Sequence, residues 1–237
     1  MILKNQLQEI TFTVIIFVWL MFVATNVNIT LGQTYLLFTS GIFILYIITT
    51  TIFDKRLDIT FAKKQGGTLS AILWGVAGWI ILLIASVIIM KFIDPSKANI
   101  ASVIALMGAV TPSLATSKIA NLLTFGVAVA FVETQFWSRL LEFFSDIFKI
   151  NTKKITIGLL FLIAILSLAF VAFHLTAKGI TNIPSLAIVF VMMTISLIMV
   201  SIFGESRQAV YLHIFANTVA SYLMLFALGK LQILGGI

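Results

Sequence analysis

The sequence has no cysteine, few charges and only two histidines. Without cysteine, the chain has no disulfide framework, no thiol catalysis and no cysteine-ligated metal. Charged residues make up 10% of the chain and hydrophobic residues 61%, with a mean hydropathy of +1.16. A soluble domain is about a quarter charged and about half apolar. The composition therefore predicts a polytopic membrane protein.

Basic residues outnumber acidic ones, and the formal net charge is +7. The Lys and Arg side chains lie mainly in short loops between apolar runs, as membrane topology requires. The excess positive charge therefore does not indicate nucleic-acid binding, and the expected partners are membrane lipids. The glycine pairs at 66–67 and 235–236 are too sparse to form a phosphate-binding loop.

Apolar runs separated by polar breaks predict an all-α transmembrane helical bundle, because backbone groups in lipid must be hydrogen-bonded internally. No repeat or second domain is visible, so residues 1–237 are interpreted as one integral membrane domain. The first run is interpreted as a span, since no clear signal-cleavage site follows it. The predicted helices cover residues 10–30, 34–53, 69–92, 118–149, 155–177, 184–203 and 209–228, with a basic loop at 54–67.

The number of spans depends on the short apolar segment 100–110, which Thr111-Pro112-Ser113 interrupts. If this segment crosses the membrane there are eight spans, and if it is re-entrant there are seven. The distribution of basic residues favours seven by a small margin.

Three polar side chains interrupt the apolar runs: Glu133, His174 and His213. Polar groups cost free energy at membrane depth, so they usually face a protein interior or a water-filled cavity and mark function. Because positions i and i+4 share a helix face, His174 lies above Phe170 and His213 beside Asn217. An imidazole and a carboxamide together can bind an oxyanion, and a glutamate can activate water. This set predicts a hydrolytic site within the membrane.

Counting residues from the turn near Thr152 places Glu133 and His174 at similar depths, roughly 28 and 33 Å along two antiparallel helices. The same counting leaves His213 roughly 12 Å from that level. A tilted, kinked or short helix between Pro184 and Phe203 would have to close this gap.

The order Glu…Phe-x-x-x-His…His-x-x-x-Asn resembles the CPBP family of glutamate intramembrane proteases. That family includes type II CAAX prenyl endopeptidases and bacteriocin-immunity-type proteins. The resemblance covers about 125–228, and the family-like core is drawn at about 117–230. Members usually carry Glu-Glu-x-x-x-Arg as the first motif. Here Thr134 follows Glu133, and Arg139 comes one residue later than expected, where Ser138 stands.

The resemblance implies that Glu133 and His174 activate water and that His213 and Asn217 hold the oxyanion. It assigns supporting positions to Arg139 and Phe170. It also implies eight spans, a membrane-anchored or prenylated peptide substrate, no required cofactor and a prokaryotic plasma-membrane location.

Other interpretations of the same residues stay open. Glu133, His174 and His213 could supply a two-histidine, one-glutamate zinc set. They could also form a proton relay or structural network in a transporter, immunity or scaffold protein. Arg139, Glu142 and Asp146, spaced three and four residues apart, could simply form a salt-bridged helix face. The sequence does not indicate an oligomeric state.

Overall fold

The computed structural model describes residues 67–110, 119–177 and 180–227. The predicted spans 10–30 and 34–53, and nearly all of the loop 54–67, lie outside the described residues. Within the described ranges the regular structure is entirely helical, which confirms the all-α prediction for this part of the chain.

In the part of the chain that the structure describes, six α-helices follow one another, with one 3₁₀ turn at Pro95–Lys97. Three of them are long and apolar enough to cross a membrane: Thr68–Ile93, Ile157–Leu175 within the fourth, and Ile183–Phe203. The helices are α1 Thr68–Ile93, α2 Ile100–Val110, α3 Ile119–Ile147, α4 Ile157–Ala177, α5 Ile183–Phe203 and α6 Arg207–Ala227. The described helix α2 has eleven residues and is about 16 Å long, roughly half the thickness of a bilayer core.

The ends of α5 follow ordinary capping chemistry. Asn182 precedes the helix and its side chain accepts a hydrogen bond from the Ser185 backbone N–H at 3.3 Å. Pro184 lies in the first turn, where its missing N–H costs nothing. At the other end Gly204 adopts a left-handed conformation with φ of 64°, which favours glycine. These signals place the α5–α6 turn at Gly204–Ser206.

Helix α6 is the central element, in contact with α1, α2, α3 and α5. Two glycines let α1 approach it closely. A Cβ atom on Gly75 would overlap the Cβ of Tyr211, and one on Gly78 would lie 2.6 Å from Leu212 Cδ1. Since Tyr211 and Leu212 directly precede His213, α1 supports the segment of α6 that carries the imidazole.

Burial differs among the three apolar helices. About 56% of the α5 window is buried, against 22% for α1, so α5 lies inside the described bundle and α1 at its edge. The outer face of α1 carries large exposed side chains such as Leu73, Ile84 and Phe92. An apolar surface of this kind is suited to lipid and unsuited to water.

Candidate functional site

The glutamate of the site lies beside a buried stripe on α3. Ala130, Thr134, Trp137 and Leu141 recur every three or four residues, and each is at most 3% exposed. This spacing brings one helix face against its neighbours. Glu133 is the residue before Thr134 and lies at the edge of that stripe. The Glu133 side chain is 11% exposed. The packing of α3 against α6 therefore turns both polar side chains into the bundle.

His213 lies between these two residues. Its Nε2 atom is 3.6 Å from Glu133 Oε2, and its Nδ1 atom is 3.1 Å from Thr134 Oγ1. The imidazole is 1% exposed. The structure thus brings Glu133 into contact with His213, the histidine that residue counting had placed at a different depth. A short helix between Pro184 and Phe203 is not the reason, because α5 has 21 residues.

The contacts between α3 and α6 explain why depth counting failed. Thr134 meets His213, and the next residue, Gln135, donates to Ser206 Oγ at 2.6 Å. His213 and Ser206 are about 10 Å apart along α6, whereas their partners are adjacent on α3. This pattern is typical of helices that cross at an angle, and axial counting assumes that they run side by side.

Phe170 connects the two histidines. Its ring is fully buried, with its centroid 4.2 Å from that of His174 and 6.3 Å from that of His213. Trp137 packs edge-on against the same ring at 5.4 Å. Both imidazoles therefore flank one aromatic side chain, which holds α3, α4 and α6 in register at this level.

The hydrogen bond of His174 defines its tautomer. Its Nδ1 atom lies 3.0 Å from the carbonyl oxygen of Phe170, one turn earlier on α4. A carbonyl oxygen can only accept, so Nδ1 carries a proton, and in the neutral imidazole Nε2 then carries the lone pair. His174, which is 1% exposed, is therefore built to accept a proton or hydrogen bond at Nε2.

The remaining predicted residues lie in less buried positions. Asn217 follows His213 by one turn on the same face of α6 and is half-buried. Arg139 is about one-third exposed, and its guanidinium lies 3.4 Å from Glu142 Oε2. The predicted ion pair along this helix face is present, at the more exposed side of α3.

A second polar cluster, not predicted from the sequence, lies at the start of α6. Arg207 forms a bidentate ion pair with Glu205, at 2.8 Å for the closest atoms, and both side chains are at most 7% exposed. Gln208 donates to the same carboxylate at 2.7 Å. The signal available was the Glu-Ser-Arg-Gln run directly after Gly204. These bonds fix the turn from which α6 begins.

Among the described residues, no three acidic or histidine side chains form a group that could hold a metal ion. The zinc interpretation of Glu133, His174 and His213 therefore receives no geometric support. What the arrangement offers instead is acid–base and hydrogen-bonding chemistry: a carboxyl group and two imidazoles in a closely packed, water-poor site.

Comparisons with protein families, curated proteins and solved structures give no match to this chain. Membership of the CPBP family therefore stays a prediction, carried by the order and geometry of Glu133, His174 and His213.

Proposed function

We propose that this protein is a CPBP-like intramembrane endopeptidase. One observation carries the proposal: Glu133 Oε2 lies 3.6 Å from His213 Nε2 inside a helical bundle. A glutamate and a histidine 80 positions apart in the chain meet there, beside a second histidine that shares the Phe170 ring. Buried ionisable groups that converge in this way are typical of functional sites in membrane proteins.

The proposed reaction is hydrolysis of a peptide bond by activated water. Glu133 takes a proton from water, with His174 Nε2 accepting a hydrogen bond that orients it. The water oxygen attacks the peptide carbonyl carbon, and the resulting oxyanion is bound by His213 and Asn217. When the C–N bond breaks, Glu133 returns the proton to the leaving amine. The products are a carboxylic acid and an amine, and no cofactor takes part.

The proposed substrate is a membrane-associated protein or peptide, including prenylated C-termini. Its scissile bond must reach groups that are nearly shielded from water, which favours a segment anchored in lipid. We place the enzyme in a prokaryotic plasma membrane, with seven or eight spans. The resemblance to CPBP proteins favours eight.

The test is cleavage of a membrane-proximal peptide by purified protein in detergent. Glu133→Gln and His174→Gln should reduce the rate by roughly a hundredfold or more, since general acid–base groups contribute about 10²–10⁴. Glu142→Gln is the matched control, because it makes the same change on the same helix at a side chain 57% exposed. Undiminished cleavage in both site variants would refute the proposal.

A non-proteolytic membrane protein of the same fold is the second candidate. The observation favouring it is that His213 contacts Glu133 and Thr134 at once, as in a buried network that joins helices. In a transporter, Glu133 and the histidines would relay protons. Ion or substrate flux into liposomes that Glu133→Gln abolishes, without cleavage of any peptide, would support this candidate. Loss of thermal stability alone in the same variant would indicate a scaffold.

A further inference from the structure

Both ring nitrogens of His213 face a protein partner. Nδ1 is 3.1 Å from the Thr134 hydroxyl, and Nε2 is 3.6 Å from the Glu133 carboxyl. A neutral imidazole carries one N–H, so one nitrogen donates and the other accepts. Which nitrogen donates determines whether His213 can bind an oxyanion on the Glu133 side.

The two partners differ in what they can do. The carboxylate required of Glu133 in the proposed mechanism only accepts hydrogen bonds, whereas a threonine hydroxyl both donates and accepts. A lone pair on Nε2 would face the negative oxygen of Glu133 and repel it. A proton on Nε2 is attracted to that oxygen. The favoured arrangement therefore has N–H at Nε2 and a lone pair at Nδ1.

We propose that Thr134 is a positioning residue whose hydroxyl donates to Nδ1 and thereby holds His213 in its Nε2–H tautomer. The Phe170 carbonyl does the opposite to His174, which it holds in the Nδ1–H tautomer. Two identical side chains flanking one ring thus receive opposite roles, His174 as an acceptor at Nε2 and His213 as a donor at Nε2. The ionised Glu133 from which the His213 tautomer is argued, and the catalytic meaning of this pairing, rest on the proposed function, whereas the tautomers can be measured without any cleavage assay.

The surroundings of Thr134 make its hydroxyl difficult to replace. The side chain is 1% exposed, so bulk water has little access. Ser138, also buried, donates to the Thr134 carbonyl oxygen at 2.6 Å and adds a bond to the same turn of α3. Removing the hydroxyl would leave Nδ1 buried without this donor, an arrangement that carries the full desolvation cost of the nitrogen.

Because the chain contains two histidines, selective ¹⁵N labelling of histidine gives a spectrum that can be assigned completely. His174→Gln identifies the signals of His213 by difference. In the wild-type protein in detergent at neutral pH we expect a protonated Nε2 for His213 and a protonated Nδ1 for His174. A protonated Nδ1 on His213 would overturn the proposal.

Thr134→Val should shift His213 towards the other tautomer and leave His174 unchanged, whereas Thr134→Ser should preserve both. Thr218→Val is the matched control. Thr218 is also buried, but its hydroxyl donates to Ile214 O within α6 at 2.6 Å. Unchanged His213 signals in Thr134→Val would contradict the assignment. If Thr134→Val does not fold, the wild-type and Thr134→Ser spectra decide alone, and Nδ1–H on His213 in either overturns it.

Kinetics provide the second readout. In Thr134→Val we expect kcat for peptide cleavage to fall roughly five- to hundredfold, the range for a buried group left unsatisfied, with little change in KM. Thr134→Ser should restore it. An altered His213 tautomer with unchanged kcat would refute the positioning role. If the wild-type protein cleaves no peptide, the proposed function fails, and the nitrogen spectrum still decides whether Thr134 sets the tautomer.

Discussion

The close contact between α1 and α6 predicts that a single methyl group, added on α1 away from Glu133 and the histidines, will disturb the candidate site. In Gly75→Ala the new carbon would overlap Tyr211 Cβ and lie 3.1 Å from the Leu212 backbone nitrogen. Ordinary carbon contacts are about 3.5–4.0 Å. One of the contacting atoms belongs to the backbone, so rotating a side chain cannot relieve the overlap. To restore ordinary carbon contacts, helix α6 must move by about 1 Å or more.

Two consequences of this shift are measurable. Overpacking of this size lowers the free energy of unfolding by about 1–3 kcal/mol, which thermal unfolding monitored by tryptophan fluorescence can detect. The displacement also reaches His213, the next residue on α6, and changes its 3.6 Å separation from Glu133. A misplacement of about 1 Å can slow an enzyme roughly a hundredfold, so peptide cleavage should fall by at least tenfold.

Gly158→Ala is the matched control for this prediction. Gly158 also lies in a helix, α4, but an added Cβ would meet nothing closer than 3.9 Å. It should leave cleavage unchanged and stabilise the helix by up to about 1 kcal/mol, because alanine is the better helix former. Equal unfolding temperatures and equal cleavage rates in the two variants would refute the argument that close packing on α1 positions α6.

Two further predictions concern charged groups outside the site. Glu205→Gln should lower the free energy of unfolding by about 3 kcal/mol, because it leaves the buried Arg207 without its anionic partner; in the same thermal assay Glu142→Gln, at an exposed pair, should cost at most about 1 kcal/mol. Equal losses would contradict this ranking. The Lys97 ammonium, 2.7 Å away, holds the pKa of Asp94 below its ordinary value of 3.8. The Asp94–Lys97 ion pair therefore stabilises the turn fully at pH values above the ordinary pKa of the carboxyl group. This stabilisation is lost as the pH falls through the lower pKa that Asp94 has in the folded protein. Lys97→Met should raise the pKa towards 3.8 in a carboxyl NMR titration, and an unchanged pKa would refute the assignment.

Most helix positions among the described residues were predictable from the sequence because apolar runs and turn residues mark them locally. The expected helix 69–92 corresponds to Thr68–Ile93, and 184–203 corresponds to Ile183–Phe203. Proline at the start of α5 and glycine after its end act within one turn of the chain. Because these residues act over such a short stretch of chain, their effect can be predicted without knowing the tertiary packing.

The arrangement of the candidate site was predictable only within each helix. The i, i+4 rule placed Phe170 beside His174, and their rings are in contact. The contact of Glu133 with His213 was not predictable in this way, because it depends on how α6 packs against α3. Counting residues along parallel axes paired Glu133 with His174, which stays a prediction, and wrongly left His213 at a distance.

Thr134 shows what a motif comparison can overlook. In the sequence it appeared as a departure from a Glu-Glu pair. In the structure it belongs to the repeating buried stripe with Ala130, Trp137 and Leu141, and so it faces the bundle interior. Which side chain it meets there was not readable from α3 alone, because that partner lies 79 residues away.

The central position of α6 also has a consequence for biosynthesis. A ribosome that has delivered α1 to α5 into a membrane has supplied Glu133 and His174 but not yet His213 or Asn217. Until α6 is inserted, a packing partner is missing from each of the four helices that contact it: α1, α2, α3 and α5. Under the proposed function, the nascent chain would therefore remain inactive towards neighbouring membrane proteins until its central helix had been translated. Quality-control proteases would have that interval in which to remove incomplete chains.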